Sequence, residues 1–226
     1  MLFRSRYKQC CGQHATDPAQ LNAAGYDLLI RGQPAAAAVN FRKALEINPQ
    51  LADVHNNLGL ALKDLGSADD AIASFRAALE INPDLAWAHN NLGIARQDQG
   101  GLCDAIECYR RAIAIDPMYA EACNNLGLAL IETGDFDHAI DSLRRAIELR
   151  PDFSEALNNL GNALRSSGKI DDAIDSFRRA LAVNPDYAEA HNNLAIALWD
   201  MGDLSSARSH LGNAVQLLPD SPALNS

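Results

Sequence analysis

A glycine every 34 residues constrains this 226-residue chain more than any other feature. Gly25, Gly59, Gly93, Gly127 and Gly161 keep that interval, with Ala195 in the sixth place. Gly32, Gly66, Gly100, Gly134, Gly168 and Gly202 form a second column, and Pro49, Pro83, Pro117, Pro151, Pro185 and Pro219 a third. No insertion disturbs the register from Asp17 to Asp220. A fixed period of this length means that one supersecondary unit is copied and stacked. The chain therefore divides into a tail (1–16), six repeats (17–50, 51–84, 85–118, 119–152, 153–186 and 187–220) and a remainder (221–226).

Within the repeat, position 1 is Pro18, Ala52, Ala86, Ala120, Ser154 or Ala188. Apolar periodicity predicts one helix over positions 1–14 and another over 16–30. Glycine at position 15 suits a short turn that needs positive φ. Proline at position 32 cannot continue the second helix, so it marks the passage to the next unit. Position 8 is glycine or alanine, and positions 20 and 27 are alanine throughout, so the helices can approach closely. Position 24 (Phe41, Phe75, Tyr109, Leu143, Phe177, Leu211) fills the space that remains. One hairpin cannot bury its apolar face alone, so neighbours must stack.

These columns resemble the tetratricopeptide repeat, over about nine tenths of the chain. The resemblance implies an all-α, right-handed solenoid of six stacked hairpins, with a concave groove lined by the first helices. Position 4 departs from the family's usual aromatic, being Leu21, His55, His89, Cys123, Leu157 and His191. The three histidines are read as packing residues. Arg96 stands at position 11 where the other copies have leucine.

Helical geometry places positions 3, 4, 7, 8 and 11 on the core face and 2, 5, 6, 9, 12 and 13 opposite. Position 6 is Asn57, Asn91, Asn125, Asn159 and Asn193, and position 5 includes Asn56, Asn90, Asn124, Asn158 and Asn192. Asparagine is a poor helix former, so a doubled asparagine in five helices opposes propensity. A carboxamide both donates and accepts, which matches a peptide group. Such a column can hold an extended chain by its backbone, or it can bond the adjacent repeat. The copies reading Asn-Leu-Gly resemble the asparagine ladder of nucleocytoplasmic O-GlcNAc transferases. Leu60, Ile94 and Leu128 at position 9 are candidates for an apolar groove floor or for helix–helix packing. Trp87 and Trp199 fall on the same side and are candidate anchors.

Charge narrows the partner. The net charge is −10, and the tail holds Arg4, Arg6 and Lys8 with no acid. That sign excludes nonspecific nucleic-acid binding, because phosphates would be repelled. Asp53, Glu121, Glu155 and Glu189 at position 2, and Asp64, Asp98, Glu132 and Asp200 at position 13, make the groove side acidic. Chaperone-binding relatives use lysine and arginine at positions 2, 5 and 6, so their carboxylate clamp is not expected here. A neutral or basic extended polypeptide is the expected ligand. Position 25–26 arginines, such as Arg144-Arg145 and Arg178-Arg179, read as a solvated ridge paired with acids four residues earlier.

No catalytic constellation, phosphate-binding loop, cofactor site or metal-ligand spacing emerges, so the expectation is a noncatalytic scaffold. The alternative is the substrate-recognition part of an O-GlcNAc-transferase-like glycosyltransferase. Cys10, Cys11 and His14 sit together in the tail without a second ligand pair. Five cysteines without a framework, and no apolar stretch of about 18 residues, favour the cytoplasm over export or a membrane span. Residues 221–226 read as a truncated cap that leaves Leu211, Val215, Leu217 and Leu218 partly uncovered, and so point to self-association.

Overall fold

The computed structural model describes residues 17–217. The basic tail, with Cys10, Cys11 and His14, and the expected cap with Leu218 lie outside those residues. Contacts divide the chain into two units, Met1–Asn82 and Pro83–Ser226. The first unit holds helices α1 (Pro18–Ile30), α2 (Pro34–Ile47), α3 (Ala52–Asp64) and α4 (Ala68–Ile81). The second holds α5 (Ala86–Asp98), α6 (Leu102–Ile115), α7 (Ala120–Thr133), α8 (Phe136–Leu149), α9 (Ser154–Ser166), α10 (Ile170–Val183), α11 (Ala188–Asp200) and α12 (Leu204–Leu217). The described chain is thus all-α, and its twelve helices form six hairpins.

Two backbone devices repeat with the sequence. Glycine at position 15 has φ between 70° and 82° in every copy, a region that glycine enters without a Cβ penalty. There the chain reverses by bonding back onto the first helix, as in Gly134 N–H to the Ile131 carbonyl (3.0 Å) and Asp135 N–H to the Leu130 carbonyl (2.9 Å). The second helix begins at position 17, one residue later than the periodicity predicts. Position 16 is the N-cap: Asp135 has ψ 70° while its carbonyl accepts from Ala139 N–H at 3.1 Å. At the other end, Asn48, Asn82, Asp116, Arg150 and Asn184 are extended. Each precedes a proline, whose ring disfavours helical geometry in the residue before it.

Inside the hairpin the first helix meets the second across a glycine. A Cβ built on Gly161 would lie 2.4 Å from Phe177 Cε1, and one on Gly59 2.5 Å from Phe75 Cε1. The rings of Phe41, Phe75 and Phe177 are fully buried on these glycines, as is Leu143 on Gly127. Ala37, Ala44, Ala71, Ala78, Ala105, Ala112, Ala139, Ala146, Ala173 and Ala180 are completely enclosed at positions 20 and 27. Stacking between hairpins buries Val54 in the first unit and Ala122, Ala156 and Ala190 in the second at position 3, with an alanine at position 10 of the same helices. In α1 these two places hold Gln20 and Asp27, both exposed. The core of the second unit runs without a break from Ala105 to Ala207.

Arg96 is half-buried, and its Nε lies 3.8 Å from Asp104. The arginine ridge pairs at a spacing of three, not four: Arg178 with Asp175 (3.6 Å) and Arg145 with Glu148 (3.1 Å). On an exposed helix face both spacings bring side chains together, and either is worth only tenths of a kcal/mol.

The glycine contacts predict opposite outcomes at two sites. Gly161→Ala forces the Phe177 ring out of a filled site and is expected to cost about 1–3 kcal/mol. Gly212→Ala, with nothing within 4 Å of the new Cβ, is expected to be neutral or to stabilise by up to about 1 kcal/mol through helix propensity. Urea unfolding monitored by circular dichroism reads both, and equal midpoints would contradict the close-approach argument.

Candidate functional site on the first helices

Successive first helices touch: α1 with α3 in the first unit, and α5 with α7, α7 with α9, and α9 with α11 in the second. Within each unit no such approach between second helices occurs among the described residues. The first helices therefore form one continuous side of each stack, and the doubled asparagines sit where they meet.

The asparagines bond one another. Asn57 Nδ2 donates to Asn22 Oδ1 at 3.0 Å. In the second unit Asn125 donates to Asn90 (2.9 Å), Asn159 to Asn124 (3.0 Å) and Asn193 to Asn158 (3.0 Å). In these four pairs position 6 of one repeat donates to position 5 of the repeat before it. Position 5 then donates onward to the acid at position 2 of the next repeat, Asn124 to Glu155 and Asn158 to Glu189, both at 3.0 Å.

This alters the face read from the helical wheel. Position 5 was expected on the open side, but Asn56, Asn90, Asn124 and Asn158 are at most 4% exposed. In the second unit the next first helix covers Asn90, Asn124 and Asn158, and a wheel drawn for one helix cannot show that. Asn192 in the last hairpin is half-buried. At position 6, Asn57, Asn91, Asn125 and Asn193 are half-buried and Asn159 is buried. With one Nδ2 proton of Asn125 and of Asn193 committed, the second proton and the carboxamide oxygen keep the remaining hydrogen-bonding capacity. Leu60, Ile94 and Leu128 are half-buried, Ile94 against the core, whereas Trp87 and Trp199 are exposed.

Several participants were not found from sequence. Tyr187, at position 34, accepts from Asn158 and donates to Glu189. Burial, then Glu189 and Glu155, push its pKa up to about 12. Tyr119 accepts from Asn90, and burial chiefly raises its pKa. Arg150 holds Glu121 at 2.7 Å and stacks on Phe153 at 3.5 Å. Tyr109 replaces the phenylalanine of other copies, and its hydroxyl donates to Gln97 Oε1 at 2.9 Å. Gln97 in turn donates to Glu132 at 2.5 Å. The acids of this face are thus largely tied into the scaffold.

The histidine column has a bond as well as a packing role. Nε2 of His55, His89 and His191 lies 3.0, 2.9 and 3.0 Å from the carbonyls of Pro49, Pro83 and Pro185. Each ring pins the linker that enters its repeat. Among the described residues no group of three or more histidines, cysteines or acids is placed to hold a metal, and no helix is long and apolar enough to cross a membrane.

Comparison with known proteins follows this geometry. A family model described as TPR repeat matches residues 25–66, 59–100, 98–134 and 161–202. Others described as tetratricopeptide repeat match 120–153, 142–175 and 188–218. No curated protein sequence matches. Among solved structures, the type IV pilus biogenesis factor PilW aligns with TM-score 0.84 and 22% identity over 92% of this chain and 96% of its own. The Cut9–Hcn1 hetero-tetramer of the APC/C aligns with TM-score 0.83 and 20% identity over 94% of this chain, which spans only 42% of that one. YrrB, described as a TPR protein with an unusual peptide-binding site, aligns with TM-score 0.66 and 24% identity over 81% of this chain and 94% of its own. At these identities the likeness shows the fold.

Asn158 bonds Asn193, Glu189 and Tyr187 from full burial. Asn158→Ala is expected to strand those partners and to lower stability by about 1–3 kcal/mol. Thermal unfolding measures this, and a melting temperature equal to the parent's would show the network to be dispensable.

Proposed function

The chain belongs to the tetratricopeptide repeat family, and from that premise we propose a noncatalytic scaffold that holds an extended polypeptide along its first helices. The observation that carries this reading is the asparagine row of the second unit. Asn91, Asn125 and Asn193 are half-buried at one repeat position, and Asn159 lies beside them. The position-5 partners position these groups and do not touch the ligand themselves. Each bond uses one of the two amide protons of Asn125 and Asn193, so each of these carboxamides still carries an N–H and an oxygen for further bonds. A polypeptide backbone supplies the complementary C=O and N–H groups whatever its side chains.

Adjacent first helices about 10 Å apart would meet an extended ligand rising about 3.3 Å per residue at roughly every third residue. Ile94 and Leu128 offer apolar contact between rungs, and Trp87 and Trp199 offer exposed aromatic anchors. The acids of this side, Asp98 and Glu121 to Glu189 among them, favour a neutral or basic ligand over an acidic one. A cytoplasmic setting suits the unframed cysteines. Chains of this fold include a peptide binder, YrrB.

The Asn-Leu-Gly copies favour a second reading, in which the row recognises substrates for a separate glycosyltransferase subunit. Co-purification of a glycosyltransferase with the chain supports that version, and its consistent absence removes it.

The double substitution Asn91→Ala with Asn125→Ala tests the row directly. Affinity purification against the parent is expected to lose the bound polypeptide at least tenfold, which corresponds to about 1.4 kcal/mol, while circular dichroism stays helical. Undiminished recovery by a folded variant refutes the role.

A further inference from the structure

The last hairpin contains a pair of histidines found in no other described repeat. His191 of α11 and His210 of α12 have ring centroids 5.2 Å apart, with Nδ1 facing Nδ1 at 2.9 Å. The other side of His191 fixes how the protons lie. Its Nε2 is 3.0 Å from the Pro185 carbonyl, and a carbonyl only accepts. Nε2 therefore carries the hydrogen, Nδ1 of neutral His191 is a lone pair, and His210 Nδ1 donates to it. His55 and His89 make the same proline bond, but the counterpart of His210 is Ser74 in repeat 2 and Cys108 in repeat 3.

The surroundings disfavour added positive charge. His191 is only 8% exposed. Burial, then His191 and Arg178 of α10, hold the pKa of His210 below its ordinary 6.5. Asp186, in the link between α10 and α11, lines a cavity of about 270 Å³ that reaches His191 beside Asn213 and Gln216. It is the carboxylate on that side of the pair.

We propose that His191 and His210 form a pH-sensitive latch that ties α12 to α11 when neutral and loosens the terminal hairpin in mild acid. One added proton can be shared, because an imidazolium at His210 still donates to His191 Nδ1. A second sets two N–H groups head-on and breaks the bond. The direction follows from linkage. A histidine whose folded pKa is lowered binds protons more readily when released. Its contribution is full above about 6.5 and is lost as the pH falls from there through the folded value.

The test is amide hydrogen exchange of the full chain at about pH 7.5 and about pH 5, after correction for intrinsic exchange, across the range where only histidine titrates unperturbed. In the parent, α12 is expected to lose protection severalfold on acidification while α8 holds. In His210→Gln, whose amide can still donate to His191 but cannot titrate, α12 should respond no more than α8. An equal acid response in that variant, or none in the parent, overturns the latch. A histidine proton titration gives a second reading. The His210 midpoint should lie below 6.5 and rise in Arg178→Gln, and a parent midpoint at or above 6.5 also refutes the proposal.

Discussion

The fold rests on one short contact, a ring laid on a glycine. Where the first helix passes the second, Gly25, Gly59, Gly93 and Gly161 leave room for an aromatic side chain at van der Waals distance from backbone. Alanines at positions 20 and 27 bring the same helices together above and below that point, with no exposed surface left. Small residues alone would leave voids, and large ones alone would hold the helices apart. The combination fixes helix separation to within a methyl group, because packed interiors tolerate neither gap nor excess. Every later placement on the first helix, the asparagines included, inherits that precision.

Most of the fold was legible because its determinants are local. A left-handed glycine, a proline that straightens the residue before it, and an apolar stripe of helical period each act within a few residues. They act the same way in every copy. The site was legible only in part. The doubled asparagine stood out because it opposes helix propensity, but its meaning lies 31 and 35 residues away, in Asn124 to Glu155 and Asn125 to Asn90. A single-helix wheel assigns position 5 to the open side, since the helix that buries it belongs to another repeat. Tyr187 and Arg150 escaped for the same reason, being linker residues that reach the face of the first helices. Tyr109 had a readable signal: a hydroxyl in a column of phenylalanine and leucine needs a polar partner, and Gln97 supplies it.

The carboxamide network also says something about specificity. Apolar alanine surfaces can slide past one another with little change in energy. A row of Asn–Asn and Asn–Glu bonds with one partner buried cannot, because any shift leaves buried donors and acceptors unpaired. Burial thus supplies the adhesion between first helices, and the polar row sets which residue of one helix meets which residue of the next. Burial chiefly raises the pKa of Tyr119 and Tyr187 at the edge of the row.

The constant separation of these bonds bears on how such a gene can change length. Asn57–Asn22, Asn125–Asn90, Asn159–Asn124 and Asn193–Asn158 all span 35 residues. Copying one whole 34-residue segment in tandem reproduces both halves of every rung, so the array can lengthen without any new packing problem to solve. A single-codon insertion inside a first helix does the opposite, turning the residues beyond it by about 100° and carrying half of a rung off its face. Duplication and deletion of complete segments are therefore the mild mutations of this protein, and single-residue insertions within a first helix the severe ones, so that the larger change in length is the smaller change in structure.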